Sequence, residues 1–516
     1  MPALPVEARM QKHNPSLPDT DYLTVPAPAP LQRLAAAPCV VWRSPVFYVA
    51  IYAVVWALVS ASLDPTVPFD AVEAFNWARN AEWGTPKNPW LVGFSMWLVL
   101  GLDGKGMAVY WYVSHFAAIA IGMLGVWHLA HRLSGDRYLA WLAMLSLHLS
   151  GAINIDMLPY NDNYLLVMFW PWMLWLFVRS LLDSPRYWPA LGVAAGLATM
   201  TKYSTFALLG AMFVVTVWTP EARRHYRRPA FLLGLAILVA MIAPNVVWLA
   251  HHDFAAWRWV DDQINARLNA RALYGALTAF YPVAVLALVM RMAGARFAPP
   301  ARDARIVAGI LLLPLIPILL YFTLHNGGRI SEWLQPFAVS LPAVCVACMR
   351  PDIAARPWRI ARWLVAAGLL VLAGYAVFLS ANLRNAGQKF SGIKVAGVEL
   401  AQRWQARYHT PLRYVGHDHL ATWLTFYAPG KPRLLMRWSA QQRPNIYTKD
   451  IDEADVRAHG AILLGHPGQS CRRTSFSRTL AQWPTLTIDA LETVPFSYHG
   501  DTAPIPLCVA YVGPKS

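Results

Sequence analysis

The chain reads as a mainly α-helical, polytopic membrane protein with about eleven transmembrane helices, followed by a small extracytoplasmic α/β domain. Three observations predict this. Of 516 residues, 57% are hydrophobic and only 14% charged, which is more apolar surface than one soluble core can hide. Apolar windows of about 20 residues, the length that crosses a bilayer, recur from residue 45 to residue 383. Beyond residue 384 the pattern changes to short apolar runs alternating with helical stretches.

In chain order, residues 1–44 are rich in Pro and Ala without periodicity, and are expected to form a disordered cytoplasmic tail. The first apolar segment starts too late for a cleavable signal and continues as a full span. Spans are expected near 45–63, 107–130, 138–155, 163–182, 187–201, 203–218, 230–250, 272–290, 306–324, 334–349 and 363–383. Pro89 to Leu102 is apolar but too short to cross, so it is assigned to an interfacial or re-entrant helix within the first outer loop, residues 64–106.

Basic residues test this layout, because Lys and Arg favour short cytoplasmic loops. With the N-terminus inside, the inner loops hold 16 cationic side chains between Arg132 and Arg362, and the outer segments before residue 384 hold eight. An odd number of spans places residues 384–516 in the periplasm. The net charge of +16 then follows from topology and anionic headgroups rather than from nucleic acid.

In the C-terminal part, Leu412–Gly416, Arg433–Met436, Ala461–Gly465 and Pro506–Val512 read as strands, and Val395–Tyr408 as a helix. Neither a phosphate-binding glycine loop nor a nucleophile elbow occurs there, so the unit is assigned to substrate capture or capping. Cys471 and Cys508 both fall on this side, where a disulfide and two free thiols are both open.

The chemistry is therefore sought in the membrane part, where ionisable groups at depth cost several kcal/mol unless they line a cavity or have partners. Such residues collect on the outer side: Asp70 and Glu73; Lys87 and Asn88; Asp156, Asn161, Asp162 and Asn163; Lys202 and Tyr203; Asn245, His251, His252 and Asp253; and His325, Arg329 and Glu332. Asp70 and Glu73 lie three apart, so a helix puts both carboxylates on one face. Val72, Phe75, Trp77 and Trp83 are expected in the bilayer interface. Asp70 also suits a helix start, Lys202 a snorkelling turn and the Asn161–Asn163 run a local turn, and these structural roles compete with the functional ones.

The pattern of Asp70-x-x-Glu73 followed by Trp83-Gly84-x-x-Lys87-x-Pro89 and an apolar helix resembles the GT-C membrane glycosyltransferases. More narrowly it resembles family 39, which includes the protein O-mannosyltransferases and the lipid A aminoarabinose and galacturonic acid transferases. Asn161–Trp175, Gly196–Leu209 and Ala243–Phe254 echo it in order, and the likeness covers about residues 45–383. It implies a GT-C-like catalytic domain in a bacterial inner membrane. The donor would be a polyprenyl-phosphate sugar and the acceptor a lipid or glycolipid, such as lipid A or its core.

Displacing a lipid phosphate from an anomeric carbon needs a base for the acceptor and cations for the leaving group. Asp70 is the expected base, with Glu73 orienting the acceptor, tuning Asp70 or binding a metal. Lys202, Arg329 and Lys87 are the expected phosphate ligands, and Asn88, Asn161, Asp162, Asn163, Tyr203 and Arg258 the substrate contacts. A single attack inverts the anomeric centre. Relatives carry His-Pro-Pro where this chain has Asn88-Pro89-Trp90, so no imidazole stands there and a divalent metal is left open. A transporter or flippase of a lipid-linked substrate, or a non-catalytic envelope assembly protein, are the competing classes.

Overall fold

The computed structural model describes residues 44–64, 66–85, 87–154, 163–258, 271–325, 330–350, 358–380, 392–435, 450–497 and 503–515. The expected N-terminal tail lies outside these residues. The described helices follow the apolar windows in order: α1 (Pro45–Leu63), α2 (Phe69–Asn80), α3 (Leu91–Trp97), α4 (Gly104–Ser134), α5 (Arg137–Ser146, the first part of the 138–155 window), α6 (Asn163–Val178), α7 (Trp188–Thr199), α8 (Thr205–Trp218) and α9 (Pro229–His251). They continue with α10 (Arg271–Met292), α11 (Arg302–Leu312), α12 (Leu315–Leu324), α13 (Ile330–Ala347) and α14 (Trp358–Ser380). Among the described residues, seven helical stretches are long and apolar enough to cross a membrane by length and composition. Pro89–Leu102 contains only the seven-residue α3, in keeping with a segment too short to span.

α4, 31 residues and so about 46 Å long, is the central post, packed against α1, α5, α6 and α13. Its two ends carry different chemistry. At the C-terminal end Arg132 pairs with Asp183 at 3.0 Å and Asp303 at 2.9 Å, while Arg179 pairs with Asp183 at 3.0 Å. At the N-terminal end stand the polar residues of the first loop. Where α7 meets α9 the backbones touch: a Cβ on Gly192 would lie 2.2 Å from the Gly234 carbonyl oxygen. Small residues at a helix interface permit that close approach.

The C-terminal unit contains α15 (Gly392–Tyr408), α16 (Leu420–Tyr427), α17 (Glu453–His459) and α18 (Ser477–Gln482). Its five-stranded mixed sheet has the order β4–β3–β5–β7–β6, made by β3 (Tyr414–His417), β4 (Arg433–Leu434), β5 (Ala461–Leu464), β6 (Ala490–Phe496) and β7 (Ile505–Val512). β4, β3 and β5 run parallel, whereas β5–β7 and β7–β6 are antiparallel. A minor ribbon pairs β1 (Arg296–Phe297) with β2 (Met349–Arg350) between membrane helices. Cys471 and Cys508 are joined in a disulfide, which closes the choice the sequence leaves open.

One expectation is corrected. Val72, Phe75 and Trp77 do not face a bilayer; they are 0%, 0% and 3% exposed. The C-terminal unit covers α2: Phe75 meets the Phe426 ring edge-on at 5.4 Å, and the Asn76 amide donates to Thr425 Oγ1 at 2.9 Å. The aromatics of an amphipathic helix suit a protein core as well as a lipid interface, and here the core takes them. Only Trp83 stays exposed, stacked on Phe94 and set edge-on against Trp90.

Candidate active site

α2 begins at Phe69 after Pro68, with no side-chain cap, so Asp70 is not serving as the helix cap. Its position in the first turn favours a negative charge, and Glu73 follows on the same face. Both are buried, at 7% and 1% exposure. The helix stops at Ala81, held at φ 44° in the left-handed region that rarely suits a residue with a Cβ. This reversal carries Glu82 and Trp83 to α9, where the Trp248 indole donates to Glu82 and the Asn245 amide donates to the Trp83 carbonyl at 2.7 Å.

The chain then makes a tight turn. Gly84 bridges to Pro89, the Asn88 amide donates to Thr85 Oγ1 at 2.8 Å, and the Thr85 amide donates to the Asn88 carbonyl at 2.9 Å. Glycine is required at its foot, because a Cβ on Gly84 would lie 2.5 Å from the Trp248 ring. The turn presents Lys87 to the carboxylates: its ammonium lies 3.1 Å from Glu73 Oε2 and 3.7 Å from Asp70 Oδ1. Two formal negative charges and one positive charge thus share a pocket with little water, where each needs the others.

A second polar group stands beside this one. The Lys202 ammonium donates to Asn163 Oδ1 at 2.9 Å, and the Asn163 amide donates to Gln335 Oε1 at 3.1 Å. Tyr203 donates to Asn245 Oδ1 at 3.1 Å. Asn245 therefore holds the Lys202–Tyr203 turn with its oxygen and the Trp83–Gly84 turn with its nitrogen. The Leu91 amide adds a direct tie, donating to the Met200 carbonyl at 2.9 Å. The two cation-bearing turns are neighbours.

Other expected residues lie elsewhere. Arg258 bonds within its own loop, to the His252 carbonyl at 3.1 Å and Asp253 at 3.7 Å. His252 lies tilted against the Trp248 ring, and His325 stacks on Tyr321. Among the described residues no three His, Cys, Asp or Glu side chains are grouped to hold a metal. Arg329, Asp156, Asn161 and Asp162 fall outside the described residues, as does the Glu332 side chain. The sequence did not single out Gln335, Asn76 or Thr85. They sit in otherwise apolar or turn contexts and acquire meaning only from partners distant in the chain.

Comparisons with known proteins now bear on this arrangement. Residues 87–248 match the family model described as dolichyl-phosphate-mannose-protein mannosyltransferase. The chain is 24% identical over 213 residues to the lipid A galacturonosyltransferase RgtD of Rhizobium johnstonii, a match covering 40% of this chain and 44% of that protein. The crystal structure of ArnT from Cupriavidus metallidurans in the apo state aligns with a TM-score of 0.58 at 15% identity, over 91% of this chain and 99% of the other. The same enzyme bound to undecaprenyl phosphate aligns with a TM-score of 0.59 at 14% identity, with the same coverage.

The helical bundle with its carboxylate-bearing first loop and C-terminal sheet defines a polytopic membrane protein of the GT-C fold. Within that class the chain is similar to the family-39 type, on a segment that starts at Lys87 and runs through Lys202 to Trp248.

Proposed function

We propose that this chain is an inverting glycosyltransferase that moves a sugar from a polyprenyl-phosphate donor to a glycolipid of the lipid A type on the periplasmic face. The observation that carries it is the buried Asp70–Glu73–Lys87 group, tied through Asn245 to the turn bearing Lys202. RgtD is named for lipid A, and ArnT has been crystallised with undecaprenyl phosphate. Both fit the proposed substrate pair.

In the proposed step the acceptor hydroxyl attacks the anomeric carbon, its proton passing to Asp70. The new C–O bond forms as the bond to phosphate breaks, and the bonding pair leaves with the polyprenyl phosphate. Lys87 and Lys202 stabilise that departing charge. Glu73, bonded to Lys87 at 3.1 Å, positions the ammonium and keeps it available. Arg329, Asn161 and Asp162 keep their proposed substrate roles, and the active end of the bundle is placed outside the cytoplasm.

The test is transfer of labelled sugar from polyprenyl phosphate in proteoliposomes. Covalent product from the natural chain and its loss by a factor of about 10²–10⁴ in Asp70→Asn is the expected result. Substrate movement across the bilayer without covalent product would replace this reading with a transporter.

A further inference from the structure

A separate cavity is lined by Asp64 and Val67, which precede the carboxylate helix. It measures about 780 Å³ and lies between the end of α1, the start of α4 and the C-terminal unit. Val67 is part of the lining, its amide donating to the Tyr427 hydroxyl at 2.9 Å. Three ammonium groups line the cavity, those of Lys105, Lys394 and Lys431, with Asp64 and Asp103.

The carboxylates are engaged by the protein: Tyr112 donates to Asp64 Oδ2 at 2.5 Å, and the Gly106 amide donates to Asp103 Oδ1 at 2.7 Å. Lys431 is also spoken for, donating to the Leu100 carbonyl at 2.7 Å and to the Leu102 carbonyl. Lys105 and Lys394 differ. Among the described residues neither ammonium has a hydrogen-bond acceptor; Lys394 rests over the Tyr427 ring at 5.6 Å, with the Asp64 carboxylate near enough to act on its charge. The lining also includes Leu63, Val109 and Val398, 37%, 41% and 40% exposed, and Val395 beside them is 69% exposed. Leu63 and Val109 belong to α1 and α4, two of the helices long enough to cross a bilayer. An anion bound here would carry its apolar part along those helices.

We propose that this cavity binds the phosphate-bearing sugar headgroup of a membrane glycolipid, Lys105 and Lys394 supplying the donors, and that this lipid is the acceptor. The volume falls in the range of small-molecule sites, and two ammoniums without acceptors beside an apolar rim match a lipid phosphate. The acceptor role rests on the glycosyltransferase reading; the binding does not.

Native mass spectrometry of the full chain in detergent tests it. The probes are a diphosphorylated glucosamine-disaccharide glycolipid, its dephosphorylated counterpart, undecaprenyl phosphate and inorganic phosphate. The expected result is that Lys105→Ala/Lys394→Ala loses the phosphorylated glycolipid at least about tenfold and keeps undecaprenyl phosphate, and that Lys105→Arg/Lys394→Arg restores binding. Equal retention of the two glycolipids by the natural chain, or unchanged retention in the alanine pair, overturns the site. Displacement by millimolar inorganic phosphate overturns the lipid assignment in favour of a free-phosphate site. If the alanine pair loses binding while the natural chain makes no covalent product, the cavity stands and the enzyme reading falls. If sugar is transferred and binding ignores the lysines, the cavity falls alone.

Discussion

Lys87 shows how a single side chain can serve two functions at once. Its side chain is 19% exposed, while that of Glu73, which it meets, is 1% exposed, so removing the lysine takes a cation from a buried carboxylate. Lys87→Met should cost roughly 1–3 kcal/mol in thermal unfolding, less than a fully buried pair because one partner is partly hydrated. Glu73→Gln combined with Lys87→Met should cost less than the two single changes added together, since Glu73 is then no longer left as a buried anion facing a lost ammonium. Strict additivity in that double-mutant cycle would mean that the pair does not interact. Lys202→Ala should instead raise the donor KM with little change in stability, because Asn163 keeps its bond to Gln335. Asp70, Glu73, Lys87 and Lys202 were all legible as candidates because charge is rare in an apolar chain. That Lys87 faces the carboxylates directly was not legible, since the turn that aims it depends on Gly84 seating against Trp248.

At the scale of elements, the turns depend on α9, and α9 depends on its contact with α7. Asn245 sits one turn below Trp248 and serves both cation-bearing turns. Asn245→Leu should leave the bundle folded by circular dichroism and lower kcat by about 10- to 100-fold, the scale expected when a positioning contact is lost. Its rescue by Asn245→Gln, which keeps both donor and acceptor, would separate positioning from packing. Gly234→Ala puts a Cβ 2.4 Å from the Trp188 carbonyl oxygen, and should cost about 1–3 kcal/mol by pushing two helices apart; an unchanged melting temperature would mean the contact is slack. Helix positions were readable because length and hydropathy decide them. β6 was not: Leu491 to Phe496 carries Glu492 and Pro495 and is partly exposed for most of its length, so it lacks the apolar run that reveals β5 and β7.

For the whole molecule, the C-terminal unit acts as a clamp on the carboxylate helix. α16 supplies Phe426 and Thr425 to α2, and Arg79 at the far end of α2 donates to the Pro432 carbonyl at 3.0 Å. Burial, with Arg433 nearby, pushes the Arg79 guanidinium down to about 10, leaving it protonated at neutral pH. None of this was readable from composition, because the contacts join residues about 350 positions apart. The clamp is itself fastened by Cys471–Cys508, a bond across 37 residues that ties a loop to the buried strand β7. A crosslink closing a loop of that length removes denatured-chain entropy worth about 4 kcal/mol. Replacing both cysteines by serine should therefore lower the unfolding temperature of the C-terminal unit. The loss should reach the active site, because α2 is held from that side: catalytic turnover should fall along with sheet stability, and reducing agent should reproduce both effects in the natural chain only. If sheet stability falls and turnover does not, α2 holds its carboxylates without the clamp, and the unit's role is confined to the second cavity.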